Sequence, residues 1–223
     1  MQLKIYQENA IDGLLTKAKR LLGYSGNKKL VFKSPTGSGK TIMMAEFLKQ
    51  LVDDRPARRS LGAGGEIRQS LGFIWTAPRQ LHIQSRDKLE NYFETSRVLK
   101  CSYFEDLDDR KISENEILFF NWESINRADN IYIRDNEQEF NLSKVLERAK
   151  EDGREIILVI DEAHHHATSQ ISQGLIQMIG PKLTIEVTAT PATITDEDEK
   201  VFVQLAQLQQ FEKKIGCFHP VDS

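Results

Sequence analysis

At 223 residues, with 39% hydrophobic and 28% charged side chains, the chain has the size and composition of one folded domain that buries its core without disulfide staples. A net charge of −3 excludes a broadly basic surface of the kind that coats nucleic acid, although it leaves room for a local groove. The opening MQLKIYQENA lacks the apolar stretch of a signal peptide, no apolar run reaches the ~18 residues of a membrane span, and Cys101 and Cys217 stand in no metal or redox spacing. A reducing cytoplasm with no membrane attachment is therefore the expected setting.

In chain order, residues 3–22 place Ile11, Leu14, Leu15, Ala18 and Leu22 on one face of a helix. KLVFKS (29–34) reads as a buried strand, 40–52 as the helix after it, GFIWTA (72–77) as a second strand and 79–93 as a second following helix. RVLKCS (97–102) and EILFFNW (116–122) predict two more strands. Leu142, Val145, Leu146 and Ala149 recur at helical spacing, so 141–151 is expected to be a helix. EIILVI (155–160) is the most continuous apolar run and suits a central strand covered on both faces. A helix over 170–179 and a last strand, KLTIEVTA (182–189), complete the pattern. Strands alternating with helices imply a mostly parallel, doubly wound α/β sheet with helices on both faces. Three polar stretches interrupt the alternation and are expected to be surface insertions: 53–71, rich in Arg and Gly, then 104–115 and 127–140. The sequence contains no internal repeat or low-complexity tract.

The chemistry concentrates in SPTGSGKT, residues 34–41, between a strand and a helix. Gly37 and Gly39 let the backbone of Pro35, Thr36, Gly37, Ser38 and Gly39 curl so that its N–H groups face inward. The helix opening at Lys40 aims its positive dipole end at the same place. A nucleotide's phosphates fit such a loop, with Lys40 neutralising β/γ-phosphate charge and the Thr41 hydroxyl on Mg²⁺. The strict pattern has Gly where this chain has Ser34, so the loop is a variant.

A carboxylate is expected at the end of a neighbouring strand, and ILVIDEAHHH (157–166) supplies it. Asp161 would hold Mg²⁺ through water, and Glu162 would orient and deprotonate the attacking water.

SPTGSGKT, DEAH (161–164) and TAT (188–190), in that order, resemble motifs I, II and III of superfamily-two helicases and translocases. Tyr6-Gln7 is similar to their glutamine motif, and TAPRQL (76–81) to the motif that lies along a nucleic-acid backbone. FFNWESINR (119–127), GREIILVIDEAHHH and VTATP most resemble the Res subunit of type III restriction enzymes. The resemblance spans residues 3 to 192. It implies a RecA-like, ATP- and Mg²⁺-using helicase ATP-binding domain over 1–192, with 193–223 a tail or the start of a linker.

By the same resemblance Gln7 would hydrogen-bond adenine, and His164 would link the ATP site to a partner domain. Thr188, Ala189 and Thr190 would couple nucleotide state to nucleic-acid grip. Thr76, Pro78, Arg79 and Gln80 would lie along the strand's phosphates. The implied partners are duplex DNA, a second RecA-like domain carrying arginine fingers, and a DNA-modification (methyltransferase) subunit. Residues 193–223 are too short for that second domain and carry none of its motifs, nor a nuclease site, so the expectation is half a motor, weakly active alone. Two alternatives stay open: an RNA-dependent ATPase of the DEAH kind, and a nucleotide-binding module that does not translocate.

The remaining conspicuous residues read as ordinary. His164, His165 and His166 point in successive directions without HExxH or Cys/His partners, so no zinc site is expected. Arg55, Arg58 and Arg59 read as a solvated part of the first insertion, and Trp122 as a packed core aromatic.

Overall fold

The structure, a computed structural model, describes residues 2–54, 70–121, 141–163, 170–190 and 199–203. Seven strands form its sheet: β1 (Lys28–Lys33), β2 (Ser70–Ala77), β3 (Lys100–Ser102), β4 (Glu116–Asn121), β5 (Arg154–Asp161), β6 (Leu183–Thr188) and β7 (Glu199–Phe202). Their order is β3-β4-β2-β5-β6-β1-β7, and every pairing is parallel. α1 (Ile5–Leu22) precedes them, and between them run α2 (Lys40–Asp53), α3 (Leu81–Phe93), α4 (Leu142–Glu151) and α5 (Gln170–Ile179).

Side-chain alternation along the strands divides the core into two layers. Phe32, Phe73, Trp75, Phe119, Val159 and Val187 share one cluster with Leu14 of α1, Phe47 of α2 and Leu89 of α3. Ile74, Leu118, Leu158 and Ile160 point the other way, into a cluster with Val145 of α4 and Leu175 of α5. Trp75 and Phe47 are fully buried, and truncating either to alanine would cost about 3–5 kcal/mol. Asn141 starts α4 because its Oδ1 accepts the Lys144 N–H at 2.9 Å. No helix among the described residues is long and apolar enough to cross a membrane.

The register sets the site. Lys33 lies opposite Thr188, Asp161 opposite Val187, Thr76 opposite Ile160 and Ala77 opposite Asn121. The carboxyl ends of β4, β2, β5, β6 and β1 therefore finish level along one edge, where parallel α/β sheets bind ligands.

Four features depart from the sequence reading. The 104–115 stretch is not a surface insertion: its two 3₁₀ turns, Phe104–Asp106 and Asp108–Arg110, deliver Phe104, Leu107 and Ile112 into the second cluster. Gly72 makes room for this, because a Cβ there would stand 2.9 Å from Ile112 Cγ2. The third strand is also shorter, starting at Lys100, and the second longer, starting at Ser70.

Finally, β7 lies within the stretch expected to be tail or linker. It pairs with β1, buries Val201 and Val203 against α1, and is tied down by Lys17, 2.8 Å from Glu199. Residues 55–69 of the 53–71 insertion, and all of 127–140, lie outside the described residues, while Ser70 and Leu71 at the end of the first are buried in β2 and are not surface insertion.

Candidate functional site

The loop after β1 is held by its own polar atoms. The Ser34 N–H donates to Thr188 O at 3.0 Å, anchoring the loop's first residue to β6. Gly37 at φ +80° and Gly39 at φ +87° occupy the left-handed region that a side chain resists. A Cβ at Gly39 would also stand 2.7 Å from Gln7 Nε2 and would push that amide off its place on Ser38 O. The buried Ser38 hydroxyl donates to Pro35 O at 2.7 Å and accepts from the Ser34 hydroxyl at 2.5 Å. Ser34 thus stands in place of the usual glycine as a cross-brace of the loop. Outside the loop, Ser38 O accepts the Tyr6 hydroxyl at 2.9 Å and Gln7 Nε2 at 3.1 Å.

At the end of β5, two strands from β1, Glu162 faces the loop: Lys40 Nζ stands 3.5 Å from Glu162 Oε1. Glu162 is turned there by a left-handed backbone, φ +53°, a strain of the sort kept at functional positions. Asp161 is buried, with Oδ2 accepting the Ser85 hydroxyl at 3.2 Å and Oδ1 the Glu162 N–H at 3.0 Å. Burial first, and the neighbouring Glu162 charge second, push its carboxyl up to about 6, against the pull of Ser85 and Lys40.

A buried carboxylate held at such electrostatic cost is what a divalent cation relieves, so the donor set fits Mg²⁺. Among the described residues there is no group of three or more His, Cys, Asp or Glu that would form an all-protein cage. Thr41, half-buried in the first turn of α2, belongs to the same edge.

Gln7 is buried, its Oε1 accepting the Lys4 N–H at 2.9 Å while Nε2 grips Ser38 O. Beyond these two bonds the amide has one further N–H and one further lone pair. Thr188 is buried; its Oγ1 accepts the Thr190 N–H at 3.1 Å, and Thr190 itself is exposed beyond Ala189. Thr188 therefore joins the loop after β1 through its carbonyl and closes its own exposed turn through its hydroxyl.

Of the four residues expected along a nucleic-acid strand, Thr76 and Pro78 are buried, whereas Arg79 and Gln80 are exposed. These two line a hollow of about 290 Å³ over the ends of β2 and β4, together with His82, Tyr103, Glu105 and Asn121. Arg79 holds φ +53°, and His82 Nδ1 donates to its carbonyl at 2.9 Å. Burial lowers the His82 pKa, favouring the neutral ring. Arg86 stacks 4.9 Å from the centre of the Tyr103 ring, stiffening the far wall. His164, His165, His166, Trp122, Arg55, Arg58 and Arg59 lie outside the described residues.

Two contacts escaped the sequence reading. Ser85 sits on the buried stripe of α3 with Leu89 and Phe93, and a small hydroxyl at the head of an apolar i, i+4, i+8 row was the available signal. The Tyr6 hydroxyl left no such signal, because its partner is a backbone carbonyl 32 positions away.

A glycine-bearing phosphate loop after one strand and an acidic pair after another, on an all-parallel α/β sheet, define a RecA-like domain of the P-loop class. The chain belongs to the family described as type III restriction enzyme, res subunit, whose model matches residues 1–193. A similar solved structure is that of a nuclease-deletion mutant of the Type ISP restriction-modification enzyme LlaGI in complex with a DNA substrate mimic. At 17% identity and a TM-score of 0.57, the likeness covers 95% of this chain and 21% of that one, and it supports the fold. A search among curated proteins returns no match.

Proposed function

We propose that this chain is the ATP-binding half of an ATP-dependent DNA helicase or translocase, serving a restriction–modification system of the type III kind. The observation that carries this reading is the approach of Lys40 to Glu162 across the carboxyl edge, which brings a phosphate-binding cation and a general-base carboxylate to one point.

In this reading the loop Pro35–Gly39 wraps the phosphates with backbone N–H groups, and Lys40 takes the β/γ-phosphate charge. Glu162 orients a water and accepts its proton. Thr41 would hold Mg²⁺ directly and Asp161 through water, and the cation would supply charge neutralisation on the phosphate oxygens. Gln7 offers its remaining N–H and lone pair to adenine. Thr188, Ala189 and Thr190 carry nucleotide state outward, toward a nucleic-acid strand held at Arg79 and Gln80, with Thr76 and Pro78 shaping the turn beneath.

A second RecA-like domain would close over this edge with arginine fingers, worth about 10³–10⁵ in rate. His164 would face it, and a methyltransferase subunit would supply DNA recognition. Support for the assembly is the family membership and the restriction enzyme of similar fold, of whose length this chain spans 21%. Titration with Mg·ATP, followed by phosphate release with duplex DNA, RNA or neither, tests the proposal. We expect binding, slow hydrolysis by this chain alone, and stimulation of the complete motor by duplex DNA. Absence of ATP binding would refute the reading, and stimulation by RNA alone would replace DNA with RNA.

A further inference from the structure

Resting on the phosphate-loop reading, we infer that Tyr6 is a positioning residue: its hydroxyl fixes the orientation of the Ser38–Gly39 peptide and so presents the Gly39 N–H to the nucleotide's phosphates.

In a trans peptide the C=O and the following N–H point in opposite directions. Ser38 O is pulled toward α1 by two donors, the Tyr6 hydroxyl at 2.9 Å and Gln7 Nε2 at 3.1 Å. The Gly39 N–H is thereby turned away from α1, toward the inner side of the loop. Gly39 is the residue least able to hold that orientation unaided. At φ +87° it has the full conformational freedom of glycine, and the flip of a peptide joining two small residues meets little steric resistance. The Ser38 hydroxyl cannot do the job either, because it is spent on Pro35 O and Ser34 within the loop.

Tyr6 is well suited to it. The ring is buried and forms part of the main core cluster, so the hydroxyl position is set by packing and not by a flexible stem. Burial raises the phenol's pKa above its ordinary value, which keeps it a donor throughout the neutral range. Gln7 shares the carbonyl but is also committed to Lys4 N, and in the proposed function its remaining groups face adenine. The division of labour that follows is simple: Tyr6 serves the phosphates and Gln7 serves both ends of the nucleotide.

The test compares the parent with Tyr6→Phe, which deletes the hydroxyl and keeps the packed ring. Calorimetric titrations with Mg·ATP and with inorganic tripolyphosphate are paired with the Gly39 amide resonance of labelled protein. We expect affinity for both ligands to fall by the same factor, about three- to tenfold as for one lost hydrogen bond. The Gly39 amide signal should shift or broaden, and the thermal midpoint should change little. In hydrolysis the loss should appear in KM more than in kcat. Tyr6→Phe binding both ligands as tightly as the parent would overturn the inference and leave the phosphate-loop reading intact. A loss confined to ATP would overturn it in favour of an adenine contact. A parent that binds neither ligand would overturn the phosphate-loop reading and this inference together.

Discussion

The carboxyl edge of the sheet carries two kinds of surface. Over β1, β6 and β5 the groups are braced before any ligand arrives: Ser34 to Ser38, Ser38 O to Tyr6 and Gln7, Asp161 to Ser85, Lys40 against Glu162. Over β2 and β4, by contrast, Arg79 and Gln80 stand exposed on the rim of an open hollow, and the rigid parts are the rings beneath. The first arrangement suits one ligand held in one pose, where preorganised dipoles and charges act at full strength. The second suits a chain that must be gripped and released at many positions, where an exposed guanidinium on a firm floor is enough. Substitutions at the two ends should therefore differ in kind: braced residues should give large, ligand-specific losses, and rim residues small and additive ones.

The largest effect is expected at Glu162. Glu162→Gln keeps the shape but removes the proton acceptor, so phosphate release should fall about 10²–10⁴-fold while Mg·ATP binding stays near the parent value. Equal hydrolysis by the variant would strip Glu162 of the base role. Next comes Lys40→Ala, which removes a charge-assisted contact from a partly enclosed site and should weaken ATP binding by roughly 2–4 kcal/mol. Thermal stability should hold, because Lys40 faces the loop and not the core; calorimetry showing unaltered affinity would refute the assignment.

Asp161 makes the third test, and its sign is unusual. A carboxyl whose folded value is about 6 against an ordinary 3.8 binds its proton more tightly folded than unfolded. Its contribution to stability is thus fully present below 3.8 and is lost as pH rises through about 6, the reverse of a paired surface carboxylate. Asp161→Asn removes the buried charge while keeping an acceptor for Ser85. In the absence of Mg²⁺ at pH 7.5 it should stabilise the fold, by on the order of 1–3 kcal/mol, and it should abolish Mg²⁺-dependent nucleotide binding. A chemical denaturation curve with an unchanged or lower midpoint would show that the ionised carboxylate is not strained.

The sequence spoke clearly where information is local. Apolar runs such as EIILVI and the helical spacing of Leu142, Val145, Leu146 and Ala149 marked β5 and α4, and the strand–helix alternation gave the parallel sheet. The phosphate loop was legible because Gly37 and Gly39 are fixed by backbone geometry. What stayed hidden is tertiary. β7 is four residues that begin inside the acidic run DEDEK, and its apolar signal is only Val201 and an exposed Phe202, with Val203 just beyond its end. Phe104, Leu107 and Ile112 have no regular period, and their burial depends on a space left by Gly72 in another element. The braces from Ser85 and Tyr6 join residues far apart in the chain, and no window along the sequence contains both partners.

The smallest effect is expected on the rim. Arg79→Ala should leave ATP affinity at the parent value, since the side chain lines the hollow over β2 and β4 and not the phosphate loop. If Arg79 neutralises one phosphate of a passing strand, its loss removes one counterion-release event. The salt dependence of DNA binding should then become shallower by about 0.9 for a duplex, or about 0.7 for a single strand. The affinity loss should be uniform across sequences, because a phosphate contact carries no base information. The left-handed backbone at Arg79 adds a control, since Arg79→Gly relieves its strain while also deleting the charge. If the charge is what matters, both variants should share the same reduced salt slope, while the glycine form should be no less stable than the alanine form. A slope unchanged in either variant would show that Arg79 takes no part in holding phosphate, and the contrast between the two ends of the edge would lose its functional meaning.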